Sequence, residues 1–370
     1  MGGTAPPARP PVAGLPPVER MTTSTAFRRI AIFGAGALGL YIGGRLAQAG
    51  QQVTLVVRPG STLALPLLIE EQGRIETCAT LAVGSSDRGE AQDLVVIAVK
   101  AHQLPAAWPE IRRWIGPETR LLFIQNGLPW WYFLGEGGPH DGRTLLASDP
   151  DGRLAAEVDL QRSIACIVHK SAERRDRQHV VAVNTPGDRF IIGQPQGGQD
   201  AALAKLAELM RGAGLPVEIS PDLRASVWEK LYGNVALNPL SAITGCDLAT
   251  MLAKPETRRL IESSIEEAIA VARACGIQTA TRAAERLRRA DQVAARGSVR
   301  TSMLQDRLAG RRLEVGPIIG AVVELARLQG VATPHLDTLY ACASAISERI
   351  DEPTGAAIPI THEQSTRKTA

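Results

Sequence analysis

From Arg29 onward, short apolar runs alternate with segments of helical period. Arg29–Phe33 reads as a buried strand, Ala37–Ala49 as a helix and Val53–Val57 as a second strand. Asp93–Val99 is a further strand, His102–Trp114 a helix and Arg120–Gln125 the next strand. Such alternation predicts βαβ units on a parallel sheet. Around Ser163–His169, Val180–Val183 and Arg189–Ile192 the strand runs lack intervening helices, which predicts an antiparallel extension of that sheet before a helix at Gln199–Gly212. After Pro221 apolar residues recur at three and four almost to Ile350, so the second region should be all-helical.

The expected organisation is a Rossmann-type α/β domain over residues 28–220 followed by an all-α domain over 221–350. Residues 1–27 hold Pro6, Pro7, Pro10, Pro11, Pro16 and Pro17 among Gly and Ala and suit a disordered arm without a secretory apolar stretch. Met21, just ahead of the first strand, reads as a natural start, which makes the preceding residues a start-assignment artefact or a dispensable arm. The tail over 351–370 is polar and punctuated by Pro and Gly.

Composition removes several classes. With 45% apolar and 21% charged residues the chain is an ordinary globule, and a net charge of +3 with scattered arginines does not suggest nucleic acid. No run of apolar residues is long enough to span a membrane. Cys78, Cys166, Cys246, Cys275 and Cys342 stand far apart, which suits reduced thiols in a cytoplasmic protein; no metal site is expected.

Gly34-Ala35-Gly36-Ala37-Leu38-Gly39 forms GxGxxG between a strand and a helix. Its glycines permit a tight turn, backbone approach to a pyrophosphate, and close helix–strand packing. The second strand ends at Arg58, where an acidic residue would accept from a ribose hydroxyl; an arginine pairs with a 2′-phosphate and favours NADP(H). Lys100 and Gln125-Asn126-Gly127 close later strands at the edge where open α/β sheets bind ligands. Trp130–Phe133 reads as core or cleft wall, and His102 as a helix-start residue.

The segment Ser226–Pro239 carries Lys230, Asn234 and Asn238 at a spacing of four, which puts an ammonium and two amides on one helical face ending at Pro239. Such a stripe suits a small oxygen-rich anion. Farther on, Ser302 reads as a helix N-cap and Glu314 as a first-turn carboxylate, or both as site residues.

Taken together, Gly34–Gly39, Arg58, Lys100, Asn126-Gly127, Trp228-Glu-Lys-Leu, Asn234, Asn238-Pro-Leu, Ser302-Met-Leu-Gln-Asp306 and Glu314 resemble the ketopantoate reductase (2-dehydropantoate 2-reductase) family. The resemblance implies NADPH and a 2-keto acid bound between the two domains. It makes Lys230 the general acid, has Glu314 and Asn234 orient the substrate, and has Ser302 and Asn238 help hold it. By it Arg58 reads the 2′-phosphate, and Lys100 and Asn126 lie where cofactor and substrate meet. Two stretches depart from the family's pattern: Pro129–Phe133, and Val315-Gly316-Pro317-Ile318-Ile319, which lacks a carboxylate and an asparagine often found there. These departures put the substrate in doubt and suggest a more apolar cleft. A reductase of another 2-keto acid and a non-catalytic NADP-binding sensor stay open. Pro255–Cys275 could pack within its domain or form a homodimer surface, which periodicity does not separate.

Overall fold

The computed structural model describes residues 27–185 and 187–351; the expected N-terminal arm and the expected tail lie outside them except for Phe27, which is buried in the core, and Asp351. Twelve strands are present among the described residues: β1 (Arg29–Phe33), β2 (Gln52–Val57), β3 (Leu67–Glu71), β4 (Arg74–Cys78), β5 (Ala82–Ser85) and β6 (Gln92–Ile97). They continue with β7 (Ile115–Phe123), β8 (Ser163–His169), β9 (Ser171–Arg174), β10 (His179–Val183), β11 (Arg189–Gly193) and β12 (Val217–Ile219). The helices of this half are α1 (Ala37–Gln48), α2 (Leu104–Ile111), α3 (Arg153–Glu157) and α4 (Ala201–Gly212).

The main sheet runs β12-β11-β8-β7-β6-β1-β2-β5, and its strands from β5 to β8 are parallel. Connections leave β1 in opposite directions, so a crevice opens beyond the carboxyl ends of β1 and β6. Gly34, Arg58, Lys100 and Asn126 all follow strands that end at this edge.

The expected antiparallel extension needs correction. β8 pairs parallel to β7, and only β11 runs antiparallel to β8. β10 leaves the main sheet for a second one, ordered β4-β3-β10-β9, which the sequence pattern did not reveal. Its strands are short, and β4 is exposed at every position but Cys78, so no alternation marks it. Helix α1 lies between the sheets. A Cβ on Gly43 would meet Leu55 and Ile32 of the main sheet at 3.1 and 3.4 Å, and one on Gly44 would meet Ile69 of the second at 2.5 Å. Neighbouring glycines thus bring both sheets close to one helix. Tyr41 donates to Glu71 at 3.1 Å, and Lys170 pairs with Glu71 at 2.8 Å and Asp188 at 2.9 Å, which ties the second sheet down.

The remaining helices are α5 (Leu223–Thr244), α6 (Leu248–Ala253), α7 (Pro255–Ala274), α8 (Ala283–Ala294), α9 (Ser302–Leu308), α10 (Ala321–Gln329) and α11 (Pro334–Asp351). α5 is the axis of this half and packs against α7, α8, α9 and α11. It opens at Asp222, whose carboxylate accepts from the Ala225 N–H at 2.9 Å, and closes on Gly245 at φ 73°. The expected stop at Pro239 is not observed. Pro239 lies inside the helix, because burial of Val235, Leu237 and Leu240 holds the turn that its missing N–H would loosen. The apolar stripe of α7 (Ile261, Ile265, Ala268, Ala272) is buried within the chain against neighbouring helices.

One apolar cluster runs from β6 and β7 through Trp130–Phe133 into α5. The aromatic run is therefore core, with Tyr132 Oη accepting from Trp228 Nε1 at 2.8 Å. Arg224 fastens the junction: its guanidinium donates to the carbonyls of Tyr132, Pro195 and Leu134 at 2.8–3.0 Å. Arg224→Met would leave these carbonyls short of a donor and should lower stability by about 2–4 kcal/mol, read as a shift of the urea unfolding midpoint. An unchanged midpoint would show that water replaces the clasp.

Candidate functional site

The turn after β1 is built by three glycines with different reasons. Gly34 has φ 103°, and a Cβ there would lie 2.6 Å from the Ala98 carbonyl carbon. On Gly39 a Cβ would lie 2.0 Å from the Gly34 oxygen, so helix and turn could not close. Gly36 is different: it caps α1 with φ −77° and ψ 177°, and its Cβ would meet nothing within 4 Å. The protein's own packing does not require a glycine there, whereas backbone approach by a phosphate does. α1 has no side-chain N-cap and no acidic residue in its first turn, so its leading N–H groups and dipole are left for an anion. Ala35, Ala37 and Leu38 complete the loop. Arg58 is exposed at the end of β2; its carbonyl accepts from the Ser61 N–H at 3.0 Å, and its guanidinium makes no hydrogen bond or ion pair with another described residue. These features fit a dinucleotide bearing a 2′-phosphate.

At the end of β6 the chain is gripped by two carboxylates from the helical half. The Lys100 ammonium pairs with Asp306 of α9, whose other oxygen accepts from Arg311 Nε at 2.9 Å. Glu314 is 6% exposed and accepts from the Ala101 N–H at 3.1 Å. Burial raises the Glu314 pKa; Lys100, the Ala101 N–H and Lys230 oppose that rise, and Asp306 adds to it.

Next to this corner lies a cleft of about 430 Å³, open mouth included, lined by Asn126, Lys230 and Asn234. Its walls are mostly apolar, with Phe123, Pro129, Trp131, Ile167, Val227 and Leu231. Lys230 Nζ donates to Asn126 Oδ1 at 2.5 Å, joining α5 to the end of β7. Burial brings the lysine's pKa down to about 8; Cys166 and Glu314 resist the fall, and Arg286 adds to it. Asn126 is itself held from both sides. Gln125 Nε2 donates to the Ile97 and Val99 carbonyls at 2.7 and 3.1 Å. Leu128 N–H donates to the Pro317 carbonyl at 2.8 Å.

The structure thus brings Lys230, Asn126 and Asn234 to one cleft, with Glu314 close enough to act on the lysine's charge. Asn238, a turn beyond Asn234, is 6% exposed and does not line that cleft. Ser302 is not the N-cap: Thr301 caps α9 by accepting from the Leu304 N–H at 3.2 Å, and Ser302 is exposed in the first turn. Either hydroxyl could cap by sequence, and the register of α9 favours the earlier.

The stretch after Glu314 also needs correction, since Gly316–Gly320 forms a short π-helix whose Pro317, Ile318 and Ile319 are core rather than cleft wall. A Cβ on Gly127 would lie 2.3 Å from the Pro317 oxygen. Sequence reading passed over Arg286, whose neighbours Arg282, Arg288 and Arg289 give it the look of a solvated face.

Comparison with known proteins gives a consistent result. The family described as "Ketopantoate reductase PanE/ApbA" matches residues 30–130, and its C-terminal counterpart matches residues 222–347. A 2-dehydropantoate 2-reductase of Mesorhizobium japonicum is 37% identical over 85% of this chain and 96% of its own. One from Halobacterium salinarum is 29% identical over 84% and 96%. Among solved structures, a Ralstonia solanacearum MolK2 protein assigned as a ketopantoate reductase superposes with a TM-score of 0.80 at 34% identity, covering 88% of this chain and 99% of that one.

Gly36→Ala should leave the thermal midpoint nearly unchanged and weaken NADPH binding about tenfold or more, a loss of roughly 1.4 kcal/mol. Gly39→Ala should lower the midpoint itself. Thermal unfolding and NADPH fluorescence titration read the two effects; equal behaviour of both variants would refute the division of roles.

Proposed function

The chain belongs to the ketopantoate reductase family, and on that footing we propose that it reduces 2-dehydropantoate to pantoate with NADPH, Lys230 acting as general acid. The observation that carries the reading is the Lys230 ammonium, held 2.5 Å from Asn126 in a largely apolar cleft beside the dinucleotide crevice.

NADPH, when bound, supplies a hydride to the carbonyl carbon of the substrate. Gly34, Ala35, Gly36, Ala37, Leu38, Gly39 and Arg58 would hold it, with Lys100 and Asn126 at its substrate end. As the carbonyl carbon gains a hydride, its oxygen gains negative charge. The Lys230 ammonium stabilises that charge and transfers a proton to the oxygen, leaving a neutral amine and a hydroxyl. Asn126 Oδ1 aims the ammonium, and Gln125 keeps Asn126 in place. Glu314, fixed by the Ala101 N–H, partly offsets the cost of burying the lysine's charge and can accept from a substrate hydroxyl. Asn234 and Asn238 offer amides on the same face of α5, and Ser302 offers a hydroxyl from α9.

A second reading, reduction of another 2-keto acid with an apolar side chain, draws support from the cleft wall of Phe123, Pro129, Trp131, Val227 and Leu231. Turnover across a panel of 2-keto acids separates the two: ketopantoate favoured over apolar analogues supports the first.

Lys230→Ala should lower kcat by about 10²–10⁴-fold in NADPH oxidation assays with ketopantoate. The acid must enter protonated, and burial places its pKa at about 8, so kcat/KM for reduction should fall as pH rises through that value. That alkaline limb should vanish in the variant; its persistence would assign the acid elsewhere. Arg58→Ala should weaken NADPH binding by about 10–100-fold and leave NADH nearly unaffected, the loss of one charge-assisted phosphate contact. Equal loss for both dinucleotides would remove Arg58 from 2′-phosphate recognition.

A further inference from the structure

Helix α8 crosses α5 at Gly233, and the Arg286 guanidinium lies flat against that glycine. A Cβ at position 233 would come within 2.1 Å of Arg286 Nη2 and 2.4 Å of Nε. Gly233 is the one glycine inside α5, where a glycine weakens the helix relative to alanine. It stands three residues after Lys230 and one before Asn234, so the guanidinium rests on the turn that carries the candidate site.

Among the described residues no group answers this charge. Arg286 Nε is fully buried without a hydrogen-bond partner, and no described acid pairs with the side chain. Both acids of α8 are engaged elsewhere: Glu285 pairs with Arg289 at 2.5 Å, and Asp291 with Arg258 at 2.8 Å. Burial lowers the Arg286 pKa, and Arg289 lowers it further. Its field also reaches the cleft, because it lowers the pKa of Lys230 and contributes to that of His169, which burial first and Lys230 next bring down to about 3. Lys230 of α5 and Arg286 of α8, with the neutral His169 imidazole within reach of both, make this corner positive. Arg286 as a whole is half-buried, but a guanidinium whose inner Nε has lost water and found no partner is costly unless an anion arrives to meet it, and its planar fork matches a carboxylate.

We propose that Arg286 is the carboxylate anchor of the substrate site, taking the acid group of a 2-keto acid while Lys230 faces the adjacent carbonyl oxygen. This rests on the reading of the cleft as a keto-acid reductase site and adds a charge-reading residue to it. The neutral amide of Asn234 then serves orientation, and Arg286 supplies the selectivity for acids over their neutral counterparts.

The test compares a 2-keto acid with its methyl ester in full-length wild type, Arg286→Met and Arg286→Lys, alongside NADPH affinity. In Arg286→Met, KM for the acid should rise about 10–100-fold, with kcat/KM for the ester changing less than about threefold and NADPH affinity unchanged. Arg286→Lys should recover part of the loss. Equal losses on acid and ester, or none on the acid, would overturn the assignment and leave Arg286 a packing residue of α5 and α8. If Arg286→Met does not fold, the same acid-to-ester ratio is read in Arg286→Lys, where an unchanged ratio overturns the proposal. Wild type inactive on every 2-keto acid would defeat the reductase reading alone. Calorimetric binding of pantoate to the NADP⁺-saturated protein would then decide on Arg286: binding lost in Arg286→Met supports the anchor, and binding equal to wild type removes it.

Discussion

A lysine ammonium brought into an apolar cleft must be answered by something, and the arrangement of both halves of this chain follows from how it is answered. Asn126 meets Lys230 directly at 2.5 Å, and Glu314 acts on it through space. The first group sits on the end of β7, and the second follows α9 in the helical half. The charge is tolerable only where sheet and helices come together, so the geometry of the junction sets the chemistry of the cleft.

That junction is fixed by contacts that run both ways. Asp306 and Glu314 reach from the helical half to Lys100 and Ala101, gripping the corner after β6. Arg224 reaches back from α5 to the carbonyls around the aromatic run, and Pro317 accepts from Leu128 next to Asn126. Each side of the cleft is therefore located by residues of the other. Shared apolar core, running through Trp131, Tyr132 and Trp228, makes the arrangement rigid as well as aligned.

The alternation of β1, α1 and β2 made the dinucleotide half legible, because buried parallel strands leave unbroken apolar runs. The helical half was legible for the complementary reason: three-and-four periodicity survives wherever a helix has one wet face. The second sheet was not, since β4 is exposed along nearly its whole length and β3 and β9 are too short to alternate clearly. Lys230 and Asn234 could be placed on one helical face by spacing alone. Pro239 misled, because a buried helix tolerates a proline that an exposed one would end on. Thr301 and Ser302 are chemically equal caps, and only packing of α9 decides between them. Arg286 was hidden among arginines, and its isolation becomes visible only when the partners of Glu285 and Asp291 are known.

The contact between Gly127 and Pro317 has a consequence for exchanging segments between this protein and its relatives. Gly127 and Leu128, just ahead of the aromatic run, meet Pro317 of the Gly316–Gly320 segment at that contact. A Cβ at 127 would strike the Pro317 oxygen, so a change at either segment alters what the other can accept. The two segments therefore behave as one unit, and a chimaera that exchanges only one of them joins surfaces that were not shaped to each other.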